Sequence, residues 1–153
     1  MNRQEAQRIV EAALNNFMEV DRYLLENDLL ERCIAGRLAM HLQHLIGDYV
    51  VDVEYNRAGV SPKRLRLPEE CANRRDEHGN SLVMPDIIVH RRGADGPNII
   101  AMELKKVENR DGPACDRMRV HAFRDQLGYR HGVLIECATG ADPTIRVLEW
   151  VGS

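Results

Sequence analysis

The chain has 153 residues, 44% of them apolar and 29% charged, which is enough for one domain with a real core and excludes a disordered or fibrous chain. No apolar run approaches the roughly 18 residues needed to span a bilayer, and residues 1–5 lead into a polar amphipathic stretch rather than a signal peptide, so a cytoplasmic protein with no membrane partner is expected. The net charge of −3 argues against binding nucleic acid by bulk charge, although metal-binding carboxylates would themselves make such a chain acidic. Cys33, Cys71, Cys115 and Cys137 are scattered without a Cys-x-x-Cys pair, so a structural zinc site is not expected and free thiols are.

Residues 3–25 predict a helix, with Ile9, Val10, Ala13, Leu14, Phe17 and Val20 recurring at three- and four-residue spacings. Asn27-Asp28 reads as a break, and a second helix runs to about residue 46 on a stripe of Leu30, Ile34, Leu38, Leu42 and Leu45 before Gly47. Residues 49–55 predict a strand with Tyr49, Val51, Val53 and Tyr55 on one face and Asp52 and Glu54 on the other. Residues 57–81, rich in charge and broken by Gly59, Pro62, Pro68 and Gly79, read as a long loop or irregular hairpin. Strands are expected at about 82–90 and 98–105, joined by a turn at Gly93-Ala94-Asp95-Gly96. A helix at 114–127, confined by Gly112-Pro113 and Gly128, and strands at 133–137 and about 144–150 complete the order. A central mixed sheet flanked by helices, an α/β (α+β) fold in one domain over 1–153, is the natural packing.

Two short motifs carry the chemistry. Met84-Pro85-Asp86-Ile87-Ile88-Val89 and Ile99-Ile100-Ala101-Met102-Glu103-Leu104-Lys105-Lys106 place Asp86 and Glu103 17 positions apart, each in or beside a strand-like apolar run. Strand side chains alternate faces, so Glu103 and Lys105 point the same way and Asp86 joins them if the strands pair. Charges in such runs are costly without partners or a metal. Two carboxylates and an ammonium at this spacing point to metal-dependent phosphodiester hydrolysis.

These motifs, Pro85-Asp86 and Glu103-Leu104-Lys105, together with the element order, resemble the PD-(D/E)xK nuclease superfamily with its restriction-endonuclease-like core, over residues of about 28–138 behind a helical lead-in at 3–46. Tyr55-Asn56-Arg57 and Pro85-Asp86-Ile87-Ile88-Val89-His90 look like small bacterial members of it. The resemblance implies Asp86 and Glu103 as ligands of Mg²⁺ or Mn²⁺, the Leu104 main-chain carbonyl as a further oxygen, and Lys105 as the catalytic lysine. It also implies Glu31 as an acid of the first core helix, although Asp28 and Glu31 equally have the spacing of a helix capping box. Glu54 stands either as a ligand that replaces or accompanies Glu31 or as part of a solvated face, and Asp52 is a weaker candidate of the same kind.

The expected partner is nucleic acid, DNA foremost, met by Lys63, Arg64, Arg66, Arg74 and Arg75 of the long loop, with Arg117, Arg119, Arg124 and Arg130 near the late helix. Glu69, Glu70, Asp76 and Glu77 dilute that loop's charge. His90 reads as a satisfied or exposed strand-end histidine, or as a phosphate contact. Gln126 and Tyr129 are spaced one residue too closely for the glutamine–tyrosine pair of recombination-type members. A homodimer is plausible because one site cuts one strand. The rival expectation is an inactive nucleic-acid-binding or regulatory protein of the same fold.

Overall fold

The computed structural model describes residues 1–59, 61–72, 74–93, 96–108 and 113–152, apart from the side chains of Arg74 and Pro113. Ala94 and Asp95 of the expected turn, and Gly112, lie outside the described residues.

Helix α1 (Arg3–Glu26) starts where the Asn2 side chain accepts a hydrogen bond from the Glu5 N–H at 2.9 Å. It buries Ala6, Val10, Ala13, Leu14, Phe17 and Leu25. Val20, assigned to that stripe by periodicity, is exposed. The helix kinks at Asp21 (φ −116°, ψ 16°), whose carboxylate turns inward to Arg37 Nε (3.0 Å) and His41 Nε2 (2.6 Å) of α2 (Glu31–Leu45).

Helix α2 buries Ile34, Ala35, Leu38, Ala39 and Leu42, whereas Leu30 and Leu45 of the expected stripe are exposed. Asp28 does not cap it. The cap residue is Leu30 with no side-chain bond, and Asp28, at φ +51°, pairs with Lys106 at 2.8 Å.

Strand β1 (Val50–Val53) begins a five-stranded mixed sheet. Between it and the next long strand, the segment expected as a long loop or irregular hairpin folds into miniature antiparallel strands. β2 (Arg57–Ala58) pairs with β3 (Ser61–Pro62), and β4 (Arg64–Leu65) and β5 (Arg74–Arg75) flank β6 (Ser81–Leu82). A 3₁₀ turn at Glu69–Cys71 lies between β4 and β5. The main sheet continues with β7 (Ile87–His90), β8 (Asn98–Lys106), β9 (His131–Ala138) and β10 (Thr144–Val151), in the order β1-β7-β8-β9-β10. All pairs are antiparallel except β8 with β9, which are parallel and joined through helix α3 (Pro113–Leu127), as a parallel pair requires a long crossover.

Alternation on β7 and β8 divides the two faces. Ile87, Val89, Ile100, Met102 and Leu104 pack under α1 and α2, and Ile88 and Ala101 face α3 with Phe123 and Tyr129. Gly132 on β9 lets α3 approach. A Cβ there would stand 2.5 Å from Val120 Cγ1 and 3.0 Å from the Val120 carbonyl. The miniature strands dock on the same helix. Gln126 Nε2 donates to the Arg66 carbonyl (3.0 Å) while its Oε1 accepts from the Arg66 N–H (2.8 Å).

The expectation of free thiols is corrected at two positions. Cys71 and Cys115 form a disulfide that ties the 3₁₀ turn to α3, and Cys33 and Cys137 remain free. The expected face of Tyr55 is corrected as well. Glu54 adopts φ +48°, which breaks alternation and carries Tyr55 to the α3 side, against His90 (ring centroids 4.7 Å apart).

Candidate functional site

Strand β7 begins one residue after Asp86, so beyond it β8 loses its antiparallel partner. The Asp86 carboxylate fills that gap by accepting the Leu104 N–H through Oδ2 at 2.7 Å. A residue in an antiparallel ladder directs both its N–H and its C=O to the same neighbour. The Leu104 carbonyl therefore also projects toward the Asp86 side, past the end of β7. Glu103 and Lys105, flanking Leu104, point to the α3 face.

From α3, Asp116 and Arg119 reach the same place, three residues apart and so on one side of the helix. Asp116 Oδ2 accepts from Lys105 Nζ at 2.7 Å, and its Oδ1 pairs with Arg119 Nη2. Arg119 Nε also lies 3.4 Å from Glu103 Oε2. The result is a cleft of about 610 Å³ in which Glu31, Asp86, Glu103 and Asp116 face Lys105 and Arg119, rimmed by Glu70 and the Cys71–Cys115 disulfide.

The carboxylates are strained electrostatically. Burial pushes Asp86 up to about 6, the Leu104 N–H works against that rise, and the charge of Glu31 adds to it. Burial also holds Glu103 well above the usual carboxylate range, and the neighbouring Asp86 charge reinforces this against Arg119. Glu103 is 7% exposed.

The sequence-predicted residues sort as follows. Asp86, Glu103, Lys105 and Glu31 line one cleft. Glu31 Oε1 accepts from the Lys106 N–H at 3.3 Å. Glu54 lies in an adjoining cleft with Glu31, Asp86 and Lys106, its carboxylate bonded to Arg32 Nε at 2.8 Å. Asp52 lies elsewhere, bonded to His90 Nε2 (2.8 Å) and bidentately to Arg92. The Arg92 hydrogen bond is the main cause of the low pKa of Asp52, with His90 adding to it.

Lys63, expected to meet phosphate, is corrected. It is 2% exposed, donates to the Arg57 carbonyl and sits over the Tyr55 ring, and burial lowers its pKa to about 8. Arg64 pairs with Asp76 (2.8 Å) and Arg75 with the Gly79 carbonyl (2.6 Å). The side chain of Arg74 lies outside the described residues. Arg117, near the late helix, pairs with Glu149. His90 is the satisfied histidine of the expected readings, at 3% exposed.

Asp116 is not among the residues the motifs single out, and Arg119 is expected only among the arginines near the late helix that could meet phosphate or be ordinary surface charge. Their three-residue spacing on a helix following Glu-x-Lys was the available signal.

Among the described residues, no group of three or more His, Cys, Asp or Glu side chains is assembled to hold a metal by itself. The donor chemistry nevertheless fits a hard divalent cation. Burial raises the proton affinity of both carboxylates, the Asp86 charge adds to the rise at Glu103, and the Leu104 carbonyl is directed beside them. Among the described residues, no helix is long and apolar enough to cross a membrane. No family model, no curated protein and no solved structure matches the chain.

Proposed function

We propose that the chain is a metal-dependent nuclease with a restriction-endonuclease-like core of the PD-(D/E)xK kind, hydrolysing phosphodiester bonds in nucleic acid, DNA foremost. The observation that carries this reading is the convergence of Asp86, Glu103 and Lys105 in one cleft with Glu31. The antiparallel run β1-β7-β8, followed by α3 and the parallel β9, supports it, because the motif residues then stand at the start of β7 and within β8.

Asp86, Glu103 and the Leu104 carbonyl would hold Mg²⁺ or Mn²⁺, with Glu31 next to Asp86. The ion would supply Lewis-acid charge and a water of lowered pKa. Lys105 orients the attacking water and stabilises charge growing on the phosphate, and Asp116 fixes where its ammonium sits. Burial of Glu103 excludes bulk water and strengthens each of these interactions.

The second reading, a nucleic-acid-binding protein of this architecture that does not cut, draws on one observation. Arg119 and Asp116 already pair with Glu103 and Lys105. Mn²⁺-dependent cleavage of single-stranded, duplex and branched DNA by the wild type and Glu103→Gln separates the two. Turnover lost in the variant is the expected result. Equal turnover by both proteins overturns the site assignment, and Mn²⁺ binding without turnover favours the second reading.

A further inference from the structure

Glu103 is buried, and a buried carboxylate with no cation beside it is strongly unfavourable. A protein built to take a metal there must also fold before the metal arrives. Arg119 supplies the positive charge in the meantime. Its guanidinium bridges two acids, Asp116 through Nη2 and Glu103 through Nε, and the two contacts are unequal. The link to Asp116 closes a single turn of α3, whereas the Glu103 contact, at 3.4 Å, is long for a charge-assisted hydrogen bond. Asp116 in turn holds Lys105 with its other oxygen. One carboxylate therefore keeps both cations when the weaker contact breaks.

We propose that Arg119 is a positioning residue that acts as an internal cation, occupying Glu103 until a divalent ion displaces it, with Asp116 as the anchor that retains it. This rests on the proposed metal site and goes beyond it, because it assigns to α3 the control of metal loading. The guanidinium leaves Glu103 but stays on Asp116, so Lys105 keeps its place and the helix does not have to move. The long 3.4 Å contact makes the exchange easy, and the fixed charge of arginine, which does not deprotonate, makes it a competition between cations and not a protonation step.

The test uses the full chain with Mg²⁺ and Mn²⁺ alone. Calorimetry at pH 8 compares wild type with Arg119→Met and Arg119→Lys. The expected result is tighter Mn²⁺ binding by Arg119→Met, roughly 3- to 10-fold, the equivalent of about one cation contact, with Arg119→Lys nearer to wild type. In parallel, the side-chain Nε–H resonance of Arg119 in the wild type, which needs no substitution, should shift on Mg²⁺ addition in proportion to site occupancy. Unchanged or weaker Mn²⁺ affinity in a folded Arg119→Met, or an Arg119 resonance unmoved while the wild type binds Mg²⁺, overturns the inference and leaves the metal site standing. Absence of binding by wild type and Arg119→Met alike, with the resonance still, removes the metal site itself and this inference with it.

Discussion

The α3 face of the sheet holds two polar clusters that solve the same problem in opposite ways. In one, Asp52 is surrounded by Arg92 and His90, and its carboxyl is held below the usual range, chiefly by the Arg92 hydrogen bond. In the other, Asp86 and Glu103 are pushed up, and Arg119 and Lys105 only partly answer four carboxylates. The first cluster is complete as it stands. The carboxylates of the second are raised chiefly by burial, with charge repulsion from Glu31 on Asp86 and from Asp86 on Glu103 adding to it, a pattern that fits a site for a further cation. The direction of the shift, more than the presence of buried charge, separates a structural ion pair from a candidate site.

Lys105→Ala tests that division hardest. It should lower cleavage by about 10²–10³-fold, the scale of losing one electrostatic contact to a transition state, beyond the stability lost by stripping Asp116 of its partner, with turnover read at temperatures where the variant stays folded. A large drop in stability with no loss of turnover would move Lys105 into the structural class.

Asp52→Ala should do the reverse. It strands the buried His90 beside Arg92 and should cost about 2–4 kcal/mol at pH 7 by urea denaturation, with activity intact at temperatures where the variant stays folded. Because the folded pKa of Asp52 is depressed, its contribution is present above the ordinary value of 3.8 and disappears as pH falls through the lower folded value. The deficit of Asp52→Ala should therefore shrink in acid.

Reduction of Cys71–Cys115, which closes a span of 44 residues at the rim of the cleft, should remove about 2–4 kcal/mol. Thermal melts with and without a dithiol reductant would measure it, and unchanged melting would mean that the Gln126–Arg66 bonds suffice to dock the miniature strands.

Asp86→Asn should act with the opposite sign. The folded pKa of Asp86 is raised, so the wild type loses stability as pH rises from about 4 to about 6. The amide keeps an acceptor for the Leu104 N–H, so the variant should match wild type below pH 4 and exceed it by up to about 3 kcal/mol above pH 6. A variant less stable at pH 8 would show Asp86 to be a purely structural cap.

Much of the architecture was legible because the continuous apolar runs of β7 and β8 and the stripes of α1 and α2 are local signals. The convergence of Asp86, Glu103 and Lys105 followed from period-two geometry once those strands paired. What escaped the sequence depends on contacts between distant residues. The miniature strands are two residues each, too short to leave a periodic pattern, and exist because Leu65 and Val83 are buried in the α3 core and Gln126 grips Arg66. The positive φ of Glu54 carries no compositional mark, yet it reverses the side of Tyr55. Lys63 reads as a surface cation because burial of an ammonium against Tyr55 cannot be inferred from its charged neighbours. Asp116 and Arg119 sit on a weakly amphipathic helix whose orientation is set by the close approach at Gly132.

The most direct measurement is the melting temperature of wild type and Asp86→Asn at pH 8, with and without millimolar Mn²⁺. Binding to the folded state alone stabilises by RT ln(1 + [L]/Kd), about 2.7 kcal/mol at one hundred times Kd. The account predicts that Mn²⁺ raises the melting temperature of wild type by several degrees and leaves Asp86→Asn, the more stable protein without metal, almost unmoved. Equal shifts in the two proteins, or none in wild type, would contradict a metal site at Asp86 and Glu103.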